Sequence, residues 1–267
     1  MSILETYNNR PRKLWVRILI FIVVLALAIW SANGVDLGSR VDLTAANGIF
    51  SGLTHPDWSL MFDTSTEGVP YLVLQTIAIA VLGTLIGGIL ALPISFLAST
   101  NVVPKWITLI FRALILGIRT IPSLVWALVW IRVTGPNAFC GVVTQSICSI
   151  GMISKMYITA IEDLDTGILE ALDASGCTTF QKIRCGILPQ LSASFVSTII
   201  YRFDINLKDA TTLGIVGAGG IGASMLMAIN SRRWSMVGAF LWALIILVLL
   251  IEYFSTKIRA RLARGER

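Results

Sequence analysis

The chain has 267 residues, 55% of them hydrophobic and 13% charged, with a mean hydropathy of +0.80 and a formal net charge of +6. A soluble domain carries roughly 25% charged residues, so this composition excludes an ordinary soluble domain, and its apolar content excludes a disordered chain. At about 20 residues per helical span, there is room for five or six membrane spans with short loops and for no second soluble domain.

Residues 1–17 are basic and lead into an apolar run over 14–30, flanked by Trp15 and Trp30, which suit the membrane interface. Ser31-Ala32-Asn33 is a poor cleavage site, so the run reads as a retained first helix. Residues 31–70 form a polar loop with one base, Arg40, and five acids, Asp36, Asp42, Asp57, Asp63 and Glu67. The second span covers 71–97, and its Gly83-x-x-x-Gly87 pair permits close helix approach.

Residues 106–133 are composite. Lys105, Arg112 and Arg119 recur every seven residues near one helical face, which predicts an interfacial amphipathic stretch leading into the third span. Ile121-Pro122 marks a kink or restart. The fourth span covers 139–161, a long polar segment 162–190, the fifth span 191–207 and the sixth 237–254. Between the last two lies a glycine-rich stretch ahead of a short helix over 223–230.

Basic residues collect on cytoplasmic loops. With the N-terminus inside and six spans, 15 of the 21 bases fall on the inner side: Arg10, Arg12, Lys13, Arg17, Lys105, Arg112, Arg119, Lys155, Lys182, Arg184, Lys257, Arg259, Arg261, Arg264 and Arg267. Both termini are then cytoplasmic, and the positive charge needs a membrane rather than nucleic acid to explain it. Cys140, Cys148, Cys177 and Cys185 read as small packing residues. His55 is the single histidine, so no zinc site is expected.

Gly217-Ala218-Gly219-Gly220-Ile221-Gly222 matches G-x-G-x-x-G. The dinucleotide fingerprint needs a βαβ unit and an acid about 20 residues later, and position 242 is a tryptophan in a membrane span. The glycines nonetheless allow a tight turn before a helix, whose N–H groups either bind an anion or pack as an ordinary turn. The fifth span is polar at its outer end: Arg202, Asn206 and Asp209 share a face, and Asp204 and Lys208 form an i, i+4 pair. Ionised groups at membrane depth cost about 2.5–3.5 kcal/mol each on insertion scales. An inward face lining a pathway fits them, with an interfacial snorkelling arginine as the competing account.

The polar segment 162–190 carries helix formers from Glu170 to Ala174, a break at Gly176, a second helical stretch over 178–185 and then Pro189. Two short helices joined at a glycine form a protruding knob. The segment resembles the EAA loop of binding-protein-dependent ABC importer permeases, Glu-Ala-Ala, three residues, Gly, nine residues, Ile-x-Leu-Pro. Glu170, Ala171, Gly176, Leu188 and Pro189 are in register, whereas Leu172 replaces the second alanine and Gly186 the isoleucine. The 200–206 stretch (Ile-Tyr-Arg-Phe-Asp-Ile-Asn) and Leu213–Gly222 are similar to phosphonate permeases, as are 119–123 and 151–155. Methionine importer permeases share much of this pattern.

The resemblance implies an all-α membrane protein with about six transmembrane helices and the type I ABC importer permease fold. Residues 1–267 would be one transmembrane domain, with 162–190 as a cytoplasmic coupling loop. It further implies a second permease subunit, identical or a close paralogue, two cytoplasmic ATPase subunits and an extracytoplasmic binding protein, in a bacterial inner membrane. The chain lacks a Walker A motif, so ATP and Mg would be bound by the partner ATPase, with no cofactor in this chain. Glu170, Ala171, Gly176, Leu188 and Pro189 would couple to that ATPase during alternating access. Arg202, Asn206, Lys208, Gly217, Gly219, Gly220 and Gly222 would line the path of a phosphonate or related phosphorus oxyanion. A permease for another small solute such as methionine, a passive channel and an intramembrane enzyme are the competing readings. The last lacks a Ser/His pair or paired aspartates within the spans.

Overall fold

The structure is a computed structural model that describes residues 14–34 and 43–264. The basic start before residue 14, Asp36, Arg40, Asp42 and Arg267 lie outside the described residues. Two units are distinguished, residues 1–44 and 45–267. The first contains α1 (Leu14–Gly34), a single apolar helix long enough to span a bilayer.

In the second unit the polar stretch expected to be a loop is partly helical. α2 (Leu43–Thr54) and α3 (Trp58–Phe62) occupy it. Asp57 caps α3 by accepting hydrogen bonds from the Ser59 hydroxyl and from the Ser59 and Leu60 N–H groups, which hold its carboxyl below the usual value. Here a local side-chain device makes a helix that hydropathy does not signal.

α4 (Val69–Leu97) carries Pro70 in its first turn, where a missing N–H costs nothing. It packs along α7 (Ala138–Glu162), and the glycine pair read from sequence is the reason. A Cβ on Gly83 would come within 2.5 Å of the Gln145 Cβ, and one on Gly87 within 2.8 Å of the Ser146 carbonyl oxygen. The two backbones meet where only hydrogen fits.

The third span is a bent pair. α5 (Lys105–Thr120) and α6 (Ser123–Thr134) meet at 87°. Pro122 forces its predecessor out of helical geometry, and Ile121 is extended. Arg112 reaches Glu162 at the end of α7, and Arg119 packs on Gly151 halfway along it, so α5 runs antiparallel to α7 and is packed on it. α6 then covers the start of α7, where Ala127 and Cys140 are buried together and the Cys140 thiol donates to the Ala127 carbonyl. Of the four cysteines only Cys140 is buried; Cys185 is exposed, so packing does not account for it.

After the coupling segment, α10 (Leu188–Ile215) is longer at both ends than the run read from hydropathy. A glycine turn leads to α11 (Ile221–Asn230) and then α12 (Trp234–Arg264). Among the described residues five helices are long and apolar enough to cross a bilayer, and there are six spans if the bent pair counts as one. The described residues contain no strand.

Candidate functional site

The segment between α7 and α10 forms a hairpin of short helices. α8 (Thr166–Ala174) starts on Asp165, whose carboxylate accepts from the Gly167 N–H. It ends in a Schellman motif. The Cys177 N–H donates to the Leu172 carbonyl and the Gly176 N–H to that of Asp173, with Gly176 at φ +73°. That conformation is why a glycine stands there. α9 (Thr179–Gln181) opens with a capping box between Thr178 and Gln181. Lys182 pairs with Asp173 across the hairpin.

A π-helical turn (Lys182–Ile187) joins α9 to α10, with the Leu188 N–H donating to the Ile183 carbonyl. Pro189 explains it. Its ring would clash with the carbonyl four residues back, and the wider turn moves that carbonyl away. The expected knob thus exists as a geometry, but its second arm is continuous with the following span.

Glu170, Ala171, Gly176 and Pro189 are exposed, while Leu188 is half-buried and Leu169 and Ile187 anchor the hairpin in the core with Phe195 and Tyr157. The two positions that depart from the EAA pattern touch each other. The Leu172 Cδ1 lies 2.5 Å from where a Cβ on Gly186 would sit. A larger residue on one side of the hairpin fills the room left by a smaller one on the other.

The base of this hairpin is tied down by Glu162, which sequence reading did not single out. One carboxylate oxygen accepts from the Thr100 N–H at 2.7 Å, from the Thr100 hydroxyl and from Arg112. Arg112 also donates to the Ala98 carbonyl, and Asn101 to that of Ile161. The knot joins the ends of α4 and α7 to α5. An acid at the polar end of an apolar run was its only sequence signal.

The residues expected along a path fall in three places. Arg202 and Asn206 meet in a buried polar network among α4, α7 and α10. Arg202 is 5% exposed and donates to the Ser149 hydroxyl at 3.1 Å and to the Met152 sulfur. Asn206, fully buried, donates from its side-chain amide to the Thr84 and Ser149 hydroxyls at 2.8 Å, and its backbone carbonyl accepts from the Gln145 side chain. Among the described residues no carboxylate pairs with Arg202 within 4.0 Å, so it does not pair with Asp204. Lys208 lies elsewhere, between Asp204 of α10 and Glu252 of α12, at 3.3 Å from each.

The glycine turn is a third place. Gly217, at φ +97°, closes α10 in a second Schellman motif, with the Ala218 N–H donating to the Leu213 carbonyl and the Gly217 N–H to that of Gly214. The Gly220 N–H donates to the Gln75 side chain and the Ile221 N–H to the Thr76 hydroxyl. Gly219 packs against Ala138, and a Cβ on Gly222 would collide with the Thr211 carbonyl. The turn is thereby packed against α4 and α7, with these two amides already engaged. Thr76 is eight residues from Thr84, about 12 Å along α4, so the turn is a separate feature from the Arg202 network.

Comparison with known proteins decides the family. Residues 91–267 match the model of the binding-protein-dependent transport system inner membrane component. The chain belongs to that family. It is a multi-pass inner-membrane permease component of the ABC importer class, and its several apolar helices agree with that. It is 34% identical over 220 residues to a phosphate-import permease protein of Mycolicibacterium smegmatis, covering 80% of this chain and 40% of that one. It is 31% identical over 188 residues to a phosphite transport system permease protein of Stutzerimonas stutzeri, covering 70% of this chain and 68% of that one. The chain thus spans less than half the length of the first relative and about two thirds of the second. The MetNI methionine ABC transporter in its inward-facing conformation superposes with a TM-score of 0.63 at 23% identity, over 71% of this permease and 94% of that chain. That likeness establishes the fold.

Proposed function

We propose that this permease carries a phosphorus oxyanion, such as phosphonate, phosphite or phosphate, into the cytoplasm, driven by ATP hydrolysis in a separate subunit. The observation that carries the substrate class is that relatives at 31% and 34% identity, from two organisms, are permeases for phosphite and phosphate. Two permease subunits, identical or closely paralogous, would enclose the path, with two ATPase subunits on the cytoplasmic side and a binding protein delivering the anion outside. Both termini are cytoplasmic in this reading, which follows the distribution of basic residues.

The hairpin containing Glu170, Ala171 and Gly176 is the element suited to the ATPase. It projects exposed polar and small residues while Leu169 and Ile187 hold it to the bundle. Its rigid links to α10 through the π turn and to α7 through the Glu162 knot let a push at the hairpin reach two spans at once. Arg202, whose planar fork suits oxyanions, sits inside the bundle on Ser149 and Met152. Its first role is therefore to set the packing of the three spans around the path. Deleting the gene in its host and supplying phosphite, methylphosphonate or phosphate as the sole phosphorus source tests the substrate class. Growth should fail on at least one of them and return with the gene. Undiminished growth on all three at limiting concentration overturns it.

A further inference from the structure

About a third of a turn around α7 from the Arg202 network lies a second basic feature. At 3.6 residues per turn, Gly151, Lys155 and Ile158 form the face next to that of Gln145, Ser149 and Met152, and α5 packs against it. Between the two helices is an open pocket of about 210 Å³ lined by Arg112, Ile115, Leu116, Arg119, Lys155 and Ile158. Three cations thus converge on one cavity whose remaining walls are aliphatic.

The three are not equally compensated. Arg112 pairs with Glu162. Arg119 and Lys155 make no ion pair or side-chain hydrogen bond with any described residue. Both stand seven residues from that pair, Arg119 from Arg112 along α5 and Lys155 from Glu162 along α7. That is about 10 Å further along the helices, where both side chains are exposed. Two unpaired cations lining one pocket repel each other, and an anion between them relieves that repulsion. The pocket offers what a tetrahedral oxyanion needs: the planar guanidinium of Arg119 for two oxygens and the ammonium of Lys155, with Arg112, held by Glu162, on the same lining.

We infer that Arg119 and Lys155 form a phosphate-type anion site between α5 and α7. This rests on the reading of the chain as an oxyanion importer, and it assigns a ligand to two residues that the sequence reading gave none. The anion has two possible sources with the same chemistry, the transported oxyanion and the headgroup of an anionic phospholipid.

The test uses the complete importer with its ATPase and binding protein, reconstituted in phosphatidylcholine nanodiscs. Three forms are compared: wild type, Arg119→Gln with Lys155→Gln, and the exchange Arg119→Lys with Lys155→Arg. Inorganic phosphite and phosphate, added without binding protein, should protect the wild type against thermal unfolding. The double glutamine form should need at least about tenfold more anion, losing two charge-assisted contacts, while the exchanged form stays within about threefold of wild type. If instead phosphatidylglycerol, titrated into the nanodiscs, is retained by the wild type and lost by the glutamine form, and phosphite does not displace it, the site is a headgroup site. Equal response of wild type and glutamine form to both anion and lipid overturns the inference. The parallel measurement of phosphite uptake by the wild type separates this from the larger reading. Uptake with no pocket effect refutes the pocket alone, and absence of uptake refutes the substrate class whatever the pocket binds.

Discussion

Replacing Leu172 by Ala and Gly186 by Ile, singly and together, probes how the coupling hairpin is held in shape. The Leu172 side chain fills the space above Gly186, which is buried. Leu172→Ala removes a half-buried side chain. Full burial would make that loss about 2–5 kcal/mol, and the partial exposure brings it to about 1–2 kcal/mol. Gly186→Ile drives a branched side chain into Leu172, an overpacking of about 1–3 kcal/mol, offset by roughly 0.5 kcal/mol of better helix propensity. The double variant restores the pair found in the EAA pattern and should lie near wild type. The cycle therefore predicts a coupling energy of about 2 kcal/mol, well above the ~0.5 kcal/mol scatter of independent sites. Thermal unfolding of the assembled importer should fall by roughly 2–6 °C in each single variant and recover in the double, with ATP-dependent uptake following the same order. Additive losses in the double variant would refute the compensation.

Further outcomes follow from the same geometry. Gly176→Leu places a side chain at φ +73°, a backbone cost of about 1–2 kcal/mol. It should reduce uptake severely while the chain still inserts, as membrane fractionation beside a transport assay will show. Gly87→Leu should prevent α4 from seating on α7, seen as loss of assembled complex on size-exclusion chromatography. Arg202→Ala leaves Ser149 without its charged partner and should weaken the bundle by about 1.5–3 kcal/mol. Arg202→Lys should be milder, and an Arg202→Ala complex of wild-type thermal stability would contradict the packing role.

Much of the architecture was legible because lipid demands it. Each long apolar run became a helix, and the close approach at Gly83 and Gly87 needed only the absence of side chains. Gly176 was readable as a stop, and it sits at positive φ, whereas the helix that Gly217 closes runs eight residues past the apolar run that hydropathy marks. What could not be read depends on which helices meet. The Leu172–Gly186 exchange is invisible until the hairpin folds, since the two positions are 14 residues apart. Periodicity placed Arg112 and Arg119 on one face but could not say that the face meets α7. Gly220 and Ile221 were open donors in the sequence and engaged ones in the structure, because Gln75 and Thr76 arrive from another span.

Phosphite uptake into proteoliposomes is the most direct measurement of the central claim. Liposomes holding this permease, its ATPase and internal ATP, given the loaded binding protein outside, should accumulate labelled phosphite against its gradient. Excess phosphate or methylphosphonate should compete, methionine should not, and omitting the ATPase should abolish uptake. Accumulation that proceeds without the ATPase, or that carries methionine and leaves phosphorus oxyanions outside, would contradict the account.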